Sequence, residues 1–243
     1  MRSALTTFVA LVVFGMVTPG HAQSSDQAPA WRAVLAAGDD STPVFDNAVQ
    51  RLSTLLAARG VGPIDRFTTD PMLARAALPI ATVQSMTDAL AGARQPGRAC
   101  LLFITSHGEP NGMLVRDDDA SRQVLDPSTL ARLLDDGCGG SPTVAIVSGC
   151  YSGIFIGAVT EAPNRIILTA ARDDRTSFGC GHEETYTYYD DCLFRSWPDS
   201  KTWLALYRAT DACVHEKENR LGVPLHSEPQ AYFGAQVANL ALP

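Results

Sequence analysis

Ala145-Ile146-Val147-Ser148-Gly149-Cys150-Tyr151-Ser152-Gly153 is an apolar run that ends in small residues around one cysteine. Leu101-Leu102-Phe103-Ile104-Thr105-Ser106-His107-Gly108 ends the same way around a histidine. The apolar part of each run is continuous rather than alternating, the pattern of a strand covered on both faces of a parallel sheet. Each run therefore reads as a buried strand with one reactive side chain at its C-terminal tip. In open α/β sheets ligands bind outside the carboxyl ends of the strands. One helical crossover separates the two runs, which makes them a single βαβ unit and predicts neighbouring strands about 4.8 Å apart. The pattern predicts that His107 and Cys150 meet as a catalytic dyad.

The flanking chain alternates strands and helices. Trp31–Ala37 reads as a first strand, and Gly38-Asp39-Asp40-Ser41-Thr42-Pro43 as the turn after it, with Ser41 or Thr42 capping a helix over 44–59. Phe45, Val49, Leu52, Leu55 and Leu56 fall on one face of that helix. A weak strand is predicted over 63–67, a helix over 82–93, and two short strands over 112–115 and 123–125 joined by a charged turn at 116–121. Asp126-Pro127 starts a helix that Gly137-Cys138-Gly139-Gly140 is expected to break near Leu134. Ile154–Val159 is expected in a helix following Cys150. A strand over 165–170, a long polar and aromatic loop over 172–189, a helix over 203–219 and a last strand over 230–233 complete the chain. The fold class is α/β, a mostly parallel sheet with helices on both faces.

The residues around the two tips suit covalent catalysis. The thiolate is the reactive form of cysteine, and a nearby imidazolium together with a following helix N-terminus would favour it. Gly108 and Gly149 let the backbone approach a substrate closely. The backbone N–H groups of Gly108 and Cys150 are candidate oxyanion donors. A cysteine or a histidine alone would be read as an ordinary core or surface residue. Two of them at glycine-flanked strand tips, with the histidine upstream at caspase-type spacing, favour chemistry.

Four separated segments resemble the legumain-type (C13) cysteine peptidases, in particular their short secreted bacterial relatives. They are Phe-Ile-Thr-Ser-His-Gly (103–108), Val-Ser-Gly-Cys-Tyr-Ser-Gly-Ile-Phe (147–155), Leu-Thr-Ala-Ala-Arg-Asp-Asp-Arg-Thr-Ser-Phe-Gly-Cys (168–180) and Ser-Glu-Pro-Gln (227–230). The resemblance implies a three-layer caspase-like fold over residues 31–243. It implies a cysteine endopeptidase with His107 as general base and acid, Cys150 as nucleophile, a thioester acyl-enzyme, and no metal or organic cofactor. It also implies a peptide or protein substrate, with Asn or Asp before the cleaved bond. Ser148, Tyr151, Arg172, Arg175 and Ser177 fall in or near the pocket segments, and Asp190 and Asp191 match pocket positions loosely. The chain departs from the family where legumains carry an Arg-His pair, here Val44-Phe45-Asp46-Asn47, and where they carry Glu on either side of the cysteine, here Ser148 and Tyr151. Two other readings compete: a silent caspase-like binding protein, and a cysteine hydrolase or amidase activated by a downstream histidine such as His182 or His215.

Composition bounds the rest. The chain has 243 residues, 46% hydrophobic and 19% charged, enough for one sizeable core. Residues 1–22 read as a signal peptide: Arg2, an apolar stretch over 8–17, and Gly20-His21-Ala22 as the cleavage site. Residues 23–30 read as a flexible lead-in. Export to a bacterial periplasm or the extracellular space is the expectation, with no membrane span left after cleavage. Removing residues 1–22 takes away Arg2 and no acid, so the net charge goes from −7 to −8. An acidic chain without a basic cluster argues against a nucleic-acid partner. The three histidines His182, His215 and His226 lack zinc-ligand spacing, and Asp117-Asp118-Asp119 lacks the pattern of a calcium loop. With Cys150 reserved, five cysteines remain; Cys100 with Cys138 and Cys192 with Cys213 are plausible pairs, leaving Cys180.

Overall fold

A computed structural model describes residues 29–117 and 121–243. The signal-peptide reading and most of the lead-in lie outside the described residues, as does the middle of the 116–121 turn. The main sheet is built from β1 (Ala30–Ala37), β2 (Ile64–Phe67), β3 (Arg98–Thr105), β7 (Thr143–Ser148), β8 (Arg165–Thr169) and β9 (Gln230–Phe233). Their order is β2-β1-β3-β7-β8-β9. All pairings are parallel except β8 with β9. The two strands that carry His107 and Cys150 are adjacent, with Thr105 opposite Ser148. A second, antiparallel sheet of β4 (Gly108–Glu109), β5 (Gly112–Arg116) and β6 (Arg122–Leu125) rises from the end of β3.

Alternation along the strands sends side chains into two cores. Leu101 and Phe103 of β3 join Val144 and Ile146 of β7 on one face. There they pack with α1 (Val44–Ala58), α5 (Tyr188–Ser196) and α6 (Trp203–Arg220), among them Phe45, Leu52, Trp197 and Trp203. Cys100, Leu102 and Ile104 point to the other face, against α3 (Val83–Leu90) and α4 (Pro127–Cys138) through Met86, Leu90, Leu130 and Leu134. The short α2 (Pro71–Arg75) has no buried residue. The result is the expected α/β sandwich. Side-chain caps start five of its helices: Asp70 on α2, Thr82 on α3, Asp126 on α4, Thr187 on α5 and Thr202 on α6.

Three expectations change. The helix α4 does not break before Gly137; it runs through Gly137 to Cys138 and ends at Gly139, whose φ is +59°. Gly137 stays helical because α3 packs on it so closely that a β-carbon there would stand 2.7 Å from Leu90 Cβ. No α-helix follows Cys150: Ser152–Phe155 makes one 3-10 turn, and 156–159 is not helical. Gly153 is jammed against the Arg172–Asp173 backbone there, 2.4 Å from Asp173 N at its would-be β-carbon. Conversely, the tail of the 172–189 loop gives way to α5, capped by Thr187 and buried through Tyr189, Leu193 and Phe194.

Cys100 bonds to Cys138 and Cys192 to Cys213, the pairs expected from the sequence. Cys150 and Cys180 are free. The Cys100–Cys138 bridge spans 38 residues and ties β3 to the end of α4. Chain-entropy cost for a loop of that length is about 4 kcal/mol. The double variant Cys100→Ala/Cys138→Ala is therefore expected to unfold in urea with a stability loss of about 2–4 kcal/mol. Denaturation curves of oxidised wild type and variant check this; superimposable curves would show that the bridge does not restrain the unfolded chain.

Candidate active site

The main sheet reverses direction of growth at β1, whose C-terminal end therefore borders a natural crevice with that of β3. His107 follows β3 by two residues and keeps the facing of Leu101, Phe103 and Thr105. Its ring packs edge-on against Phe45 at the start of α1, 5.2 Å between centroids. Its Nε2 lies 3.2 Å from Ser41 Oγ, in the turn after β1. Asp39, 2% exposed, accepts a hydrogen bond from Ser41 N at 2.9 Å and an ion pair from Arg122 at 3.1 Å. Burial pushes the Asp39 carboxyl up, but the Ser41 hydrogen bonds and the charges of His107 and Arg122 hold it below the usual carboxylate value. A polar chain Asp39–Ser41–His107 thus crosses from β1 to β3. Sequence reading took Ser41 for a possible helix cap; α1 has no side-chain cap, and Ser41 serves the histidine instead. The available signal was an acid pair placed directly after the apolar tip of β1.

Cys150 follows β7 by two residues, in step with His107 after β3. The strand register is continued past the sheet by Ser106 N donating to Ser148 O at 3.1 Å. Gly108 presses on the cysteine itself: a β-carbon at Gly108 would stand 1.9 Å from the Cys150 carbonyl oxygen. Gly149 is equally confined, 2.5 Å from Met113 Sδ and 2.7 Å from Ser106 O at its would-be β-carbon. These glycines bring the two tips into direct backbone contact, a role beyond the substrate access expected of them. Among the described residues the Cys150 N–H donates to no backbone acceptor, which leaves it available as an oxyanion donor beside Gly108. The Cys150 Sγ accepts from Ser177 N at 3.3 Å and donates to Ser177 O at 3.5 Å. This N–H contact takes the place of the helix N-terminus that the sequence led us to expect.

The other predicted residues separate. Tyr151 adopts a left-handed backbone, φ +57°, and its N–H donates to Arg175 O at 2.7 Å, which docks the loop bearing Ser177 against Cys150. Arg172 and Arg175 share an ion-pair cluster with Asp174 and Glu228 at the edge of this loop. Ser148 is buried, and its Oγ has no hydrogen-bond partner. Asp191 does not join them: it pairs with Lys217 at 2.9 Å, in a separate depression lined by Glu183, Glu184 and Tyr186. Its neighbour Asp190 is the acid near the site. Asp190 is fully buried, and its Oδ2 accepts from Thr105 Oγ1 at 2.8 Å, while Oδ1 is unpartnered. Thr105 and Ser148, opposite each other in the sheet, thus form a polar layer one step below His107 and Cys150. Cys180 lies further along the Ser177 loop, where burial and the nearby Cys150 push its thiol up. Of the downstream histidines, His215 contacts His226, 3.1 Å between Nδ1 atoms, and neither contacts Cys150. Among the described residues no group of three or more His, Cys, Asp or Glu side chains could hold a metal ion, and no helix is long and apolar enough to cross a membrane.

This architecture, with a histidine and a cysteine on adjacent parallel strand tips, is that of the caspase-like fold. Caspase-1 from Spodoptera frugiperda is similar in structure with a TM-score of 0.59 and 13% sequence identity, over 84% of this chain and 86% of that one. Residues 94–214 match the Peptidase C13 family, and the matching segment includes both His107 and Cys150. No curated protein matches the sequence.

Burial raises the Asp190 carboxyl to about 6, although the neighbouring Ser148, Thr105 and Thr187 hydroxyls pull it down. A carboxyl whose folded value lies above its unfolded value, about 3.9, binds its proton more tightly when folded. Its stabilising contribution is therefore complete below the unfolded value and is lost as pH rises through about 6. The expected cost is about 2 kcal/mol between pH 4 and 7. Asp190→Asn, which is neutral throughout, should remove that slope. Urea midpoints of both proteins across this range measure it; equal pH dependence would show that Asp190 ionises freely in the folded protein.

Proposed function

We propose that this protein is a cysteine endopeptidase whose nucleophile is Cys150 and whose general base is His107. The observation that carries the reading is the contact of Gly108 with the Cys150 carbonyl, which joins the two strand tips, inside the segment matching the Peptidase C13 family. His107 takes the Cys150 thiol proton and the sulfur attacks the substrate carbonyl carbon. The N–H groups of Gly108 and Cys150 receive the resulting oxyanion. His107 then gives its proton to the leaving amine, and the acyl group remains on sulfur as a thioester. Water, deprotonated by His107, attacks the thioester and releases the carboxylic acid and the thiol. Ser41 and Asp39 are positioning residues: Ser41 holds Nε2 of the ring, and Asp39 holds Ser41.

The pocket beside the dyad carries short polar groups, Ser177 Oγ at 3.8 Å from Sγ and the buried Ser148 hydroxyl. These suit a small amide side chain before the cleaved bond, and Asn is favoured over Asp because a buried acid, Asp190, is held by Thr105 in the layer below the dyad. Arg172 and Arg175 are already neutralised by Asp174 and Glu228, which argues against their binding an acidic side chain. The signal-like residues 1–22 and two disulfides support export to the periplasm or extracellular space.

Cleavage profiling on a peptide library tests activity and preference together. The chain from residue 23 onward is expected to cut after Asn, and Cys150→Ala to lose at least about 1000-fold in kcat/KM. Cleavage by Cys150→Ala at the wild-type rate would remove Cys150 from the mechanism. No cleavage by either protein, with both folded, would favour a caspase-like binding protein instead.

A further inference from the structure

A cavity of about 500 Å³ lies at the opposite end of the sheet, where β3 and β7 begin. Two tight turns form its walls. One runs over Arg94-Gln95-Pro96-Gly97 into Arg98, the other over Gly139-Gly140-Ser141-Pro142. Gly97 and Gly139 both take left-handed backbones, φ +77° and +59°, which sharpen the turns. The walls are fixed to each other. The Cys100–Cys138 bridge joins them at the base. Ser141 Oγ donates to Ala93 O at 2.8 Å, and Asn164 Nδ2 braces the second turn through Ser141 O at 2.8 Å and Gly139 O at 3.3 Å. The Arg94 stem lies over Gly139, its Cγ 3.6 Å from a would-be β-carbon there.

The charge of this cavity runs against that of the chain. Its lining contains two guanidiniums and no carboxylate, in a protein of net charge −7. Neither Arg94 nor Arg98 has an ion-pair or side-chain hydrogen-bond partner among the described residues, whereas Arg32, Arg116, Arg165 and Arg172 are each matched to an acid. Two unmatched guanidiniums on a rigid frame select a dianionic, multi-oxygen group, which they can bind through paired N–H donors. The volume exceeds that of a bare ion and is in the range of small-molecule sites.

We propose that this cavity binds a ligand carrying a phosphoryl or sulfate group, held by Arg94 and Arg98. The site is separate from the cysteine chemistry, and its test does not depend on it. Calorimetric titration with inorganic phosphate, at ionic strength fixed with sodium chloride, probes the free group. Vesicles of phosphatidic acid in phosphatidylcholine, against phosphatidylcholine alone, probe the same group on a lipid. One saturable site is expected for at least one probe, weakened about tenfold or more by Arg94→Gln or Arg98→Gln and absent from the double variant. Thermal unfolding of the double variant by circular dichroism establishes that it is folded. Saturation by phosphate alone assigns a soluble ligand; saturation by the anionic vesicles assigns a headgroup. Absence of saturable binding of either probe to the wild type, or undiminished binding by the folded double variant, overturns the proposal.

Discussion

The site depends on one backbone contact, Gly108 against the carbonyl of Cys150. Adjacent parallel strands keep their chains about 4.8 Å apart only while the ladder lasts. Beyond Thr105 and Ser148 the chains are free to splay, and two reactive residues there would drift apart. Here Ser106 extends the ladder by one bond, and Gly108 and Gly149, lacking side chains, let the chains close further. A β-carbon at either position would meet backbone or sulfur well inside van der Waals distance. The all-apolar strands beneath supply the rigid base: Leu101–Ile104 and Val144–Val147 are completely buried.

Around that contact, three loops from different parts of the chain supply the remaining groups. The turn after β1 brings Ser41 and Asp39 to the histidine. The loop after β8 brings Ser177 to the sulfur and is anchored through Arg175 O. The loop before β9 closes the rim, with Ser227 O accepting from Arg172 N at 2.8 Å and Glu218 of α6 holding Ser227 from beneath. Each loop leaves the carboxyl end of a parallel strand or enters the antiparallel edge strand, so the topology gathers them at one end. The arginine-lined cavity occupies the other end, which separates the two sites by the length of the sheet.

Much of this was legible in the sequence because burial leaves a coarse mark. Continuous apolar runs announce parallel strands, and a single crossover fixes β3 beside β7, so the adjacency of the strand tips bearing His107 and Cys150 could be read without coordinates. The Cys100–Cys138 pair followed from the same neighbourhood reasoning, and Cys192–Cys213 from the places of the two cysteines around a helix start. What sequence reading could not resolve were choices within one or two residues. Asp190 and Asp191 are successive on α5, about 100° apart around its axis, and only the packing of that helix turns Asp190 inward and Asp191 toward Lys217. Ser41 has the chemistry of a helix cap, and its service to His107 depends on where the β1 turn lies relative to β3. The helix expected after Cys150 failed for a tertiary reason, the crowding of Gly153 by the 172–173 backbone, which no local propensity reports.

The central claim is that Cys150 is a nucleophile activated by His107. Its most direct measurement is intact-mass analysis of the chain from residue 23 onward after treatment with an epoxide cysteine probe between pH 5 and 8. The account predicts a single adduct, mapped to Cys150, whose rate of formation falls by about 100-fold or more in His107→Ala. An unmodified protein, an adduct on Cys180 alone, or an unchanged rate in His107→Ala would contradict it.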